Sequence, residues 1–134
     1  GNGPKKTLPL VADYASEWNA VYTDHETYKD RTERLNQLLE ERGRKPEDVK
    51  RSLMMRVIYG ATSARVQEQL DAIGRTKEAL QERGLIVGTA NEVVEQIGVW
   101  VELGVERFML QWIDQDDIAG LESMAQHVLP HFHA

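Results

Sequence analysis

The chain has 134 residues, no cysteine and a formal net charge of −6 at pH 7, with 41% hydrophobic and 28% charged residues. This is ordinary usage for one globular domain and argues against disorder. The acidic balance disfavours a nucleic-acid partner, the missing thiols exclude disulfides and thiolate metal sites, and no apolar run approaches the ~20 residues of a membrane span. A soluble, cytoplasmic protein with no membrane partner is the expectation.

The first element is a helix. Gly1-Asn2-Gly3 is followed by Pro4, which suits a first helical position because its missing N–H is not needed there. Leu8, Leu10, Val11 and Tyr14 then supply an apolar face. Residues 17–22, EWNAVY, predict a short strand. Thr23 and Glu26 have capping-box spacing, opening a helix that carries Tyr28, Leu35, Leu38 and Leu39 on one side and stops at Gly43.

Residues 52–60, SLMMRVIYG, form a nearly continuous apolar run, the pattern of a strand buried on both faces. Residues 62–73 predict a helix using Val66, Leu70 and Ile73, and 75–83 a second short one ending at Gly84. LIVG is short and extended at most. Thr89 and Glu92 repeat the capping-box spacing, and Val93, Ile97, Trp100 and Val101 follow with a 3.6-residue period. Residues 105–113 after Gly104 predict a central buried strand. Asp114, Asp116 and Asp117 then cap a last helix with Ile118, Leu121, Ala125 and Val128 as its buried stripe, ended by Pro130.

Strands separated by helices imply a parallel sheet. The expected fold class is α/β, with about three parallel strands and flanking helices. Three strands leave two open edges, which natural sheets cover or charge. Either helices cap those edges in a compact unit, or the strands continue in a larger protein cut in or just before the opening glycine turn.

Three stretches carry a resemblance. GNGPKKTLPLVADYASEWN is similar to the glycine-rich turn, helix and Ala-Asp-x-Trp-Asn strand of the luciferase-like monooxygenase superfamily, the flavin- and coenzyme F420-dependent oxidoreductases. GRKPEDVKRSLM resembles that family's helix end, turn and strand. VGTANEVVEQIGVWVELGVERFMLQW resembles its Gly-Thr-x-x-Glu-Val helix and following strand. Residues 61–84 carry no such likeness. The resemblance implies that residues 1–134 are the C-terminal portion of a single (β/α)8 TIM barrel, whose ~250 residues exceed this length. It implies an oxidoreductase or monooxygenase using FMN or coenzyme F420 on a small organic substrate when full length, with the fragment alone inactive. The alternative is a non-catalytic α/β interaction or oligomerisation module.

The opening turn is the best binding candidate. Free N–H groups and the positive end of the dipole lie at a helix start, and glycine permits close approach of an anion. Read bare, it is only a glycine-rich turn; the resemblance implies that Gly1, Asn2, Gly3, Lys5, Lys6 and Thr7 hold the cofactor phosphate. Barrel chemistry sits at the C-terminal ends of strands, which adds Asn19 and Gln111 as cofactor-binding candidates against an equal reading as structural residues. In the last strand, Phe108, Leu110 and Trp112 share one face and Arg107, Met109 and Gln111 the other; the second is expected to line the barrel interior. Trp18 and Trp112 read as packing residues. Arg56, breaking an apolar strand, reads as an interior ion pair rather than an anion clamp. His25 is placed on the mouth side, as an exposed helix-start residue rather than a proton donor. His127, His131 and His133 read as a solvated terminus, and the Asp114–Asp117 run lacks the glycine turn and downstream ligand of a calcium loop. No metal site and no catalytic residue is assigned. The unpaired edges of a cut barrel predict a homo-oligomer.

Overall fold

In the computed structural model, which describes residues 1–133, ten principal elements alternate. They are α1 (Thr7–Tyr14), β1 (Glu17–Val21), α2 (His25–Glu40), β2 (Lys50–Tyr59), α3 (Ser63–Ile73), α4 (Lys77–Gln81), β3 (Ile86–Gly88), α5 (Ala90–Glu102), β4 (Arg107–Gln111) and α6 (Ile118–Val128). Among the described residues no helix is long and apolar enough to cross a membrane.

All strand pairs are parallel and β2 is the hub. It pairs with β1 through Lys50–Met54, with β4 through Ser52–Arg56 and with β3 through Val57–Tyr59. Met54 O accepts from Tyr22 N at 3.1 Å and Lys50 N donates to Ser16 O at 2.9 Å, so even-numbered backbone groups of β2 face β1. Gly60 N donates to Gly88 O at 3.3 Å, which puts β3 on that same edge, beyond the point where β1 leaves it. Arg51 O accepts from Glu106 N at 2.9 Å on the opposite edge, beside β4. The sheet therefore has four strands but is three abreast, and it does not close into a barrel.

The central strand is β2, not 105–113. β4 has a neighbour on one side only among the described residues, so it is an edge strand, with Phe108 and Leu110 half-buried and Met109 exposed. An apolar run reports how much side-chain surface is covered, not how many neighbours the backbone has.

Register sorts the side chains into two faces. Trp18, Ala20, Leu53, Met55 and Val57 are buried in one cluster with Tyr28, Leu35 and Leu39 of α2 and Val93, Ile97 and Trp100 of α5. Half-buried Phe108 and Leu110 pack on this cluster from the same side. The opposite face carries Asn19, Val21, Ser52, Met54, Arg56, Arg107, Met109 and Gln111, the arrangement expected of a barrel interior. On this face Ser52 and Ile58 are buried, Arg107 and Met109 are exposed and the others half-buried, and Ala72 and Ile73 of α3 line one pocket with Ile58.

Helix boundaries differ from the expected ones for local reasons. α1 begins at Thr7 rather than Pro4, because Lys6 still has non-helical dihedrals (φ −122°, ψ −51°). Pro9 then falls in the first turn, where a missing N–H costs no hydrogen bond. α2 is capped by Asp24, whose carboxylate accepts from Thr27 N–H at 2.7 Å and the Thr27 hydroxyl at 2.9 Å, and not by Thr23. These donors hold the Asp24 carboxyl below its usual range. Thr89 and Glu92 do form a capping box: the Glu92 carboxylate accepts from Thr89 N–H at 2.8 Å and its hydroxyl at 3.1 Å, and is also paired to Lys77 of α4. The buried stripe of α6 is Met124 and Val128, whereas Ile118 and Leu121 are exposed. α6 packs on α5 and leaves Ile118 and Leu121 exposed.

Candidate functional site

The glycine turn lies along the outer edge of β1, the edge facing away from β2. The Asn2 side chain makes both bonds that a neighbouring strand would make: Nδ2 donates to Val21 O at 2.6 Å and Oδ1 accepts from Val21 N at 2.9 Å. Gly1 N donates to Asn19 O at 2.8 Å, and Trp18 Nε1 donates to Gly1 O at 2.8 Å. This edge is therefore partly covered, contrary to the expectation of two bare edges. The same bonds fix the turn at the C-terminal end of β1.

What the turn presents is an uncapped helix start. No side chain caps α1 and its first turn holds no acidic residue. Lys5 and Lys6 are exposed. A Cβ on Gly3 would stand 3.0 Å from Thr7 Oγ1, so the glycine leaves the Thr7 hydroxyl room beside free N–H groups. Free N–H groups, the Thr7 hydroxyl and a positive dipole end lie together with no acidic residue in the helix's first turn, and the exposed Lys5 and Lys6 adjoin them in sequence, a chemistry that suits a phosphate. Asn2 differs from its neighbours here: its side chain is fully engaged with Val21, leaving it an anchor of the turn with only backbone to offer a ligand.

Asn19 and Gln111 both lie on the interior face but in different rows. Asn19 is level with Ser52 and donates to Ser52 Oγ at 3.0 Å and Met109 Sδ at 3.6 Å. Gln111 is level with Arg56, four residues further along β2, or roughly 13 Å at the strand rise. The structure thus brings Gln111, not Asn19, to the strand ends.

Tyr22 was missed in the sequence. Its hydroxyl donates to Gln111 Oε1, and Gln111 Nε2 reaches Met54 Sδ at 3.5 Å. Tyr22 is also the one described non-glycine residue with positive φ, at 45°. An aromatic residue in the left-handed region is uncommon, and such strain concentrates at functional sites. The bend throws the tyrosine from the end of β1 across the strand ends to β4. Sequence pattern gave one weak signal, an aromatic residue between a strand and a helix cap; its dihedral leaves no mark on composition.

The remaining candidates fall as follows. Arg51, not Arg56, is the buried arginine of β2, 6% exposed, donating to Val49 O and to Asn36 Oδ1, the latter at 2.7 Å; burial pushes its guanidinium down. Arg56 is half-buried and, among the described residues, forms no ion pair, against its expected structural pairing. His25 opens α2 but packs against Trp100 with ring centroids 4.3 Å apart and planes tilted by 54°, in the helical layer rather than at the strand ends. Burial against that ring lowers its pKa despite the opposing charge of Asp24. Trp18 packs on Tyr28 as expected, and Trp112 faces Tyr59 at 6.4 Å. His127 Nδ1 meets Ser123 O at 2.8 Å, and His131 and His133 are exposed. Asp117 caps α6 by accepting from Gly120 N at 2.9 Å. Among the described residues no group of three metal-ligating side chains comes together.

A parallel α/β sheet with helices on one face and an uncapped glycine turn at its strand ends is similar in fold to part of the flavin- and F420-dependent oxidoreductases of known structure. Solved structures with that fold align along nearly the whole chain. The coenzyme F420-dependent tetrahydromethanopterin reductase of Methanopyrus kandleri aligns over 98% of this chain and 49% of its own, with TM-score 0.73 and 16% identity. An F420-dependent secondary alcohol dehydrogenase, solved with an F420–acetone adduct, aligns over 98% and 47%, with TM-score 0.77 and 17% identity. The FMN-bound oxygenating constituent of 3,6-diketocamphane monooxygenase from Pseudomonas putida, a type II Baeyer–Villiger enzyme, aligns over 94% and 45%, with TM-score 0.71 and 16% identity. The chain thus spans about half the length of these proteins, and at such identity the likeness establishes the fold. No family model and no curated protein matches the sequence.

Proposed function

We propose that residues 1–134 form the C-terminal part of a single luciferase-like (β/α)8 domain, a cytoplasmic oxidoreductase or monooxygenase using FMN or coenzyme F420 on a small organic substrate. The observation that carries this reading is the uncapped glycine turn, fixed at the C-terminal strand ends of a sheet whose fold recurs in F420- and FMN-bound proteins. In this reading the free N–H groups after Gly3, the Thr7 hydroxyl and Lys5 and Lys6 hold the cofactor phosphate. Asn2 and the Gly1 backbone tie the turn to β1. Gln111, oriented by Tyr22, offers a hydrogen bond at the strand ends, and Asn19 stiffens the interior row behind it. A bound flavin or deazaflavin supplies the hydride or oxygen chemistry. The chain alone lacks the rest of the barrel and is inactive. Fluorescence titration of the protein expressed from its complete reading frame tests the reading: saturable binding of FMN or F420 is expected, and binding of neither overturns it.

A second reading, a non-catalytic interaction or oligomerisation module, is favoured by one feature. β4 has an unpaired outer edge among the described residues, and Met109 beside it is 41% exposed on the bare face. Unpaired edges template pairing with another chain. The 134-residue chain is accordingly expected to sediment as a homo-oligomer at micromolar concentration. A stable monomer there removes the reason for expecting self-association.

A further inference from the structure

What can pair with the outer edge of β4 follows from its register on β2. Phe108 is level with Leu53 and Leu110 with Met55. The odd-numbered backbone groups of β2 face β4, since the even-numbered ones face β1. Of two residues level in a parallel pair, one turns its N–H and C=O to the other strand and its partner turns them away. Phe108 and Leu110 therefore turn theirs outward, and among the described residues no loop or helix meets them there. Residues 105–113 contain no proline and no lysine, the residues that commonly guard an edge.

The side chains of Phe108 and Leu110 lie on the helix-covered face. There they line an apolar groove with Val101 of α5 and with Leu129 and Phe132 after α6, and these last three are exposed. Two copies can meet edge to edge in two ways. A parallel pair is related by an axis along the strands, which puts the two helix layers on opposite faces. It would set the apolar row of one copy beside Arg107, Met109 and Gln111 of the other. An antiparallel pair is related by an axis perpendicular to the sheet. It keeps both helix layers on one side and joins the two apolar rows across the groove.

We propose that two copies of this chain pair antiparallel through the outer edges of β4, about a twofold axis at Met109. This rests on the second reading above, that of an oligomerisation module, and names its partner as a second copy. In this register Phe108 of each copy exchanges both backbone hydrogen bonds with Leu110 of the other, so every outward group of the strand is paired. An axis at Phe108 or at Leu110 would pair only one of the two within the strand. The side chains agree with the same register. Phe108 faces Leu110, Met109 faces Met109, and Arg107, held by Glu17 at 3.0 Å, faces the uncharged Gln111. No like charges meet, and each apolar cross-strand pair adds to the sheet. The contact uses the same patch on both copies, so it closes at a dimer.

Single cysteines in the otherwise cysteine-free 134-residue chain test the register. At the axis, residue 109 faces its own copy in a non-hydrogen-bonded pair with Cα atoms about 4.5 Å apart, within reach of a disulfide. Oxidation of M109C at micromolar concentration is expected to give a covalent dimer at least about tenfold faster than R107C or Q111C, whose own copies stand roughly 13 Å apart along the strands. A mixture of R107C and Q111C should link one variant to the other, because those positions face each other across the axis. Thermal unfolding under reducing conditions shows which variants keep the fold, and the mixture decides alone if M109C does not. Where the native chain sediments as an oligomer, a folded M109C that links no faster than R107C overturns the pairing and leaves the second reading standing. A mixture that links no faster than either variant alone does the same. A native chain that sediments as a monomer overturns both.

Discussion

Replacing Trp100 by alanine is expected to destabilise the chain by about 3–5 kcal/mol, the range for a large aromatic removed from a core. Trp100 is 1% exposed and joins the two crossover helices. Its ring meets Tyr28 of α2 edge-on with centroids 5.5 Å apart, Tyr28 stacks on Trp18 of β1 at 5.6 Å, and His25 packs on Trp100 at 4.3 Å. Truncation therefore opens a cavity against the Tyr28 and His25 rings and uncouples α5 from α2 at one point. Denaturant unfolding measures the loss; a change below about 1 kcal/mol would mean that the helix layer is held elsewhere. The same variant frees His25. Its folded pKa is depressed by burial, so the unfolded chain binds a proton that the folded chain resists, and stability falls as pH drops through the ordinary histidine range. In W100A that acid sensitivity should shrink.

A comparable effect is expected from Gly84→Ala, about 2–4 kcal/mol. Gly84 follows α4 with φ +84°, a conformation strained for any L side chain. Its Cβ would also collide with the Thr23 carbonyl oxygen and stand 3.2 Å from the Trp100 ring. The obstacle is backbone on one side and the aromatic cluster on the other, so neither yields cheaply. α4 and β3 would be pushed off the loop that follows β1. Unfolding of G84A by denaturant checks this, and a neutral substitution would show that the 82–85 turn relaxes freely. A native stability of 5–15 kcal/mol is typical, so either change takes a large share of it.

The alternation of helices and parallel strands was legible because it rests on local signals. The apolar stretch of β2, the periodic residues of α2 and α5, and the Thr89–Glu92 box each report a neighbour within a few residues. The two faces of β4 were legible too, since period two needs no tertiary information. What failed depended on the neighbours of an element. The 105–113 run reads the same whether one strand or two flank it, so it predicts a central strand where the structure has β2 at the centre. The stripe of α6 was misplaced because a helix packed along one strip leaves some of its apolar residues bare. Asp24 displaced Thr23 as a cap because both spacings are satisfied in the sequence, and Asp24 gains a second bond to the Thr27 hydroxyl. At the site, the glycine turn was visible as a motif. The role of Asn2 as a strand mimic, the left-handed Tyr22 and the unpaired Arg56 were not, since each depends on what the fold places 19 to 89 residues away or leaves absent.

The central claim is that the turn at Gly1–Thr7 holds the phosphate of a flavin-type cofactor. The most direct measurement is the dissociation constant of FMN and of F420, by fluorescence, for the protein from its complete reading frame and for its Gly3→Val variant. A Cβ at Gly3 already stands 3.0 Å from Thr7 Oγ1, so a branched side chain there displaces that hydroxyl and covers the adjoining N–H groups. Thermal unfolding without cofactor serves as the control. The account predicts that the native protein binds one of the two cofactors saturably, and that Gly3→Val weakens this about tenfold or more, the loss of at least one charge-assisted hydrogen bond, with unfolding little changed. Unchanged affinity in a folded Gly3→Val variant would contradict it.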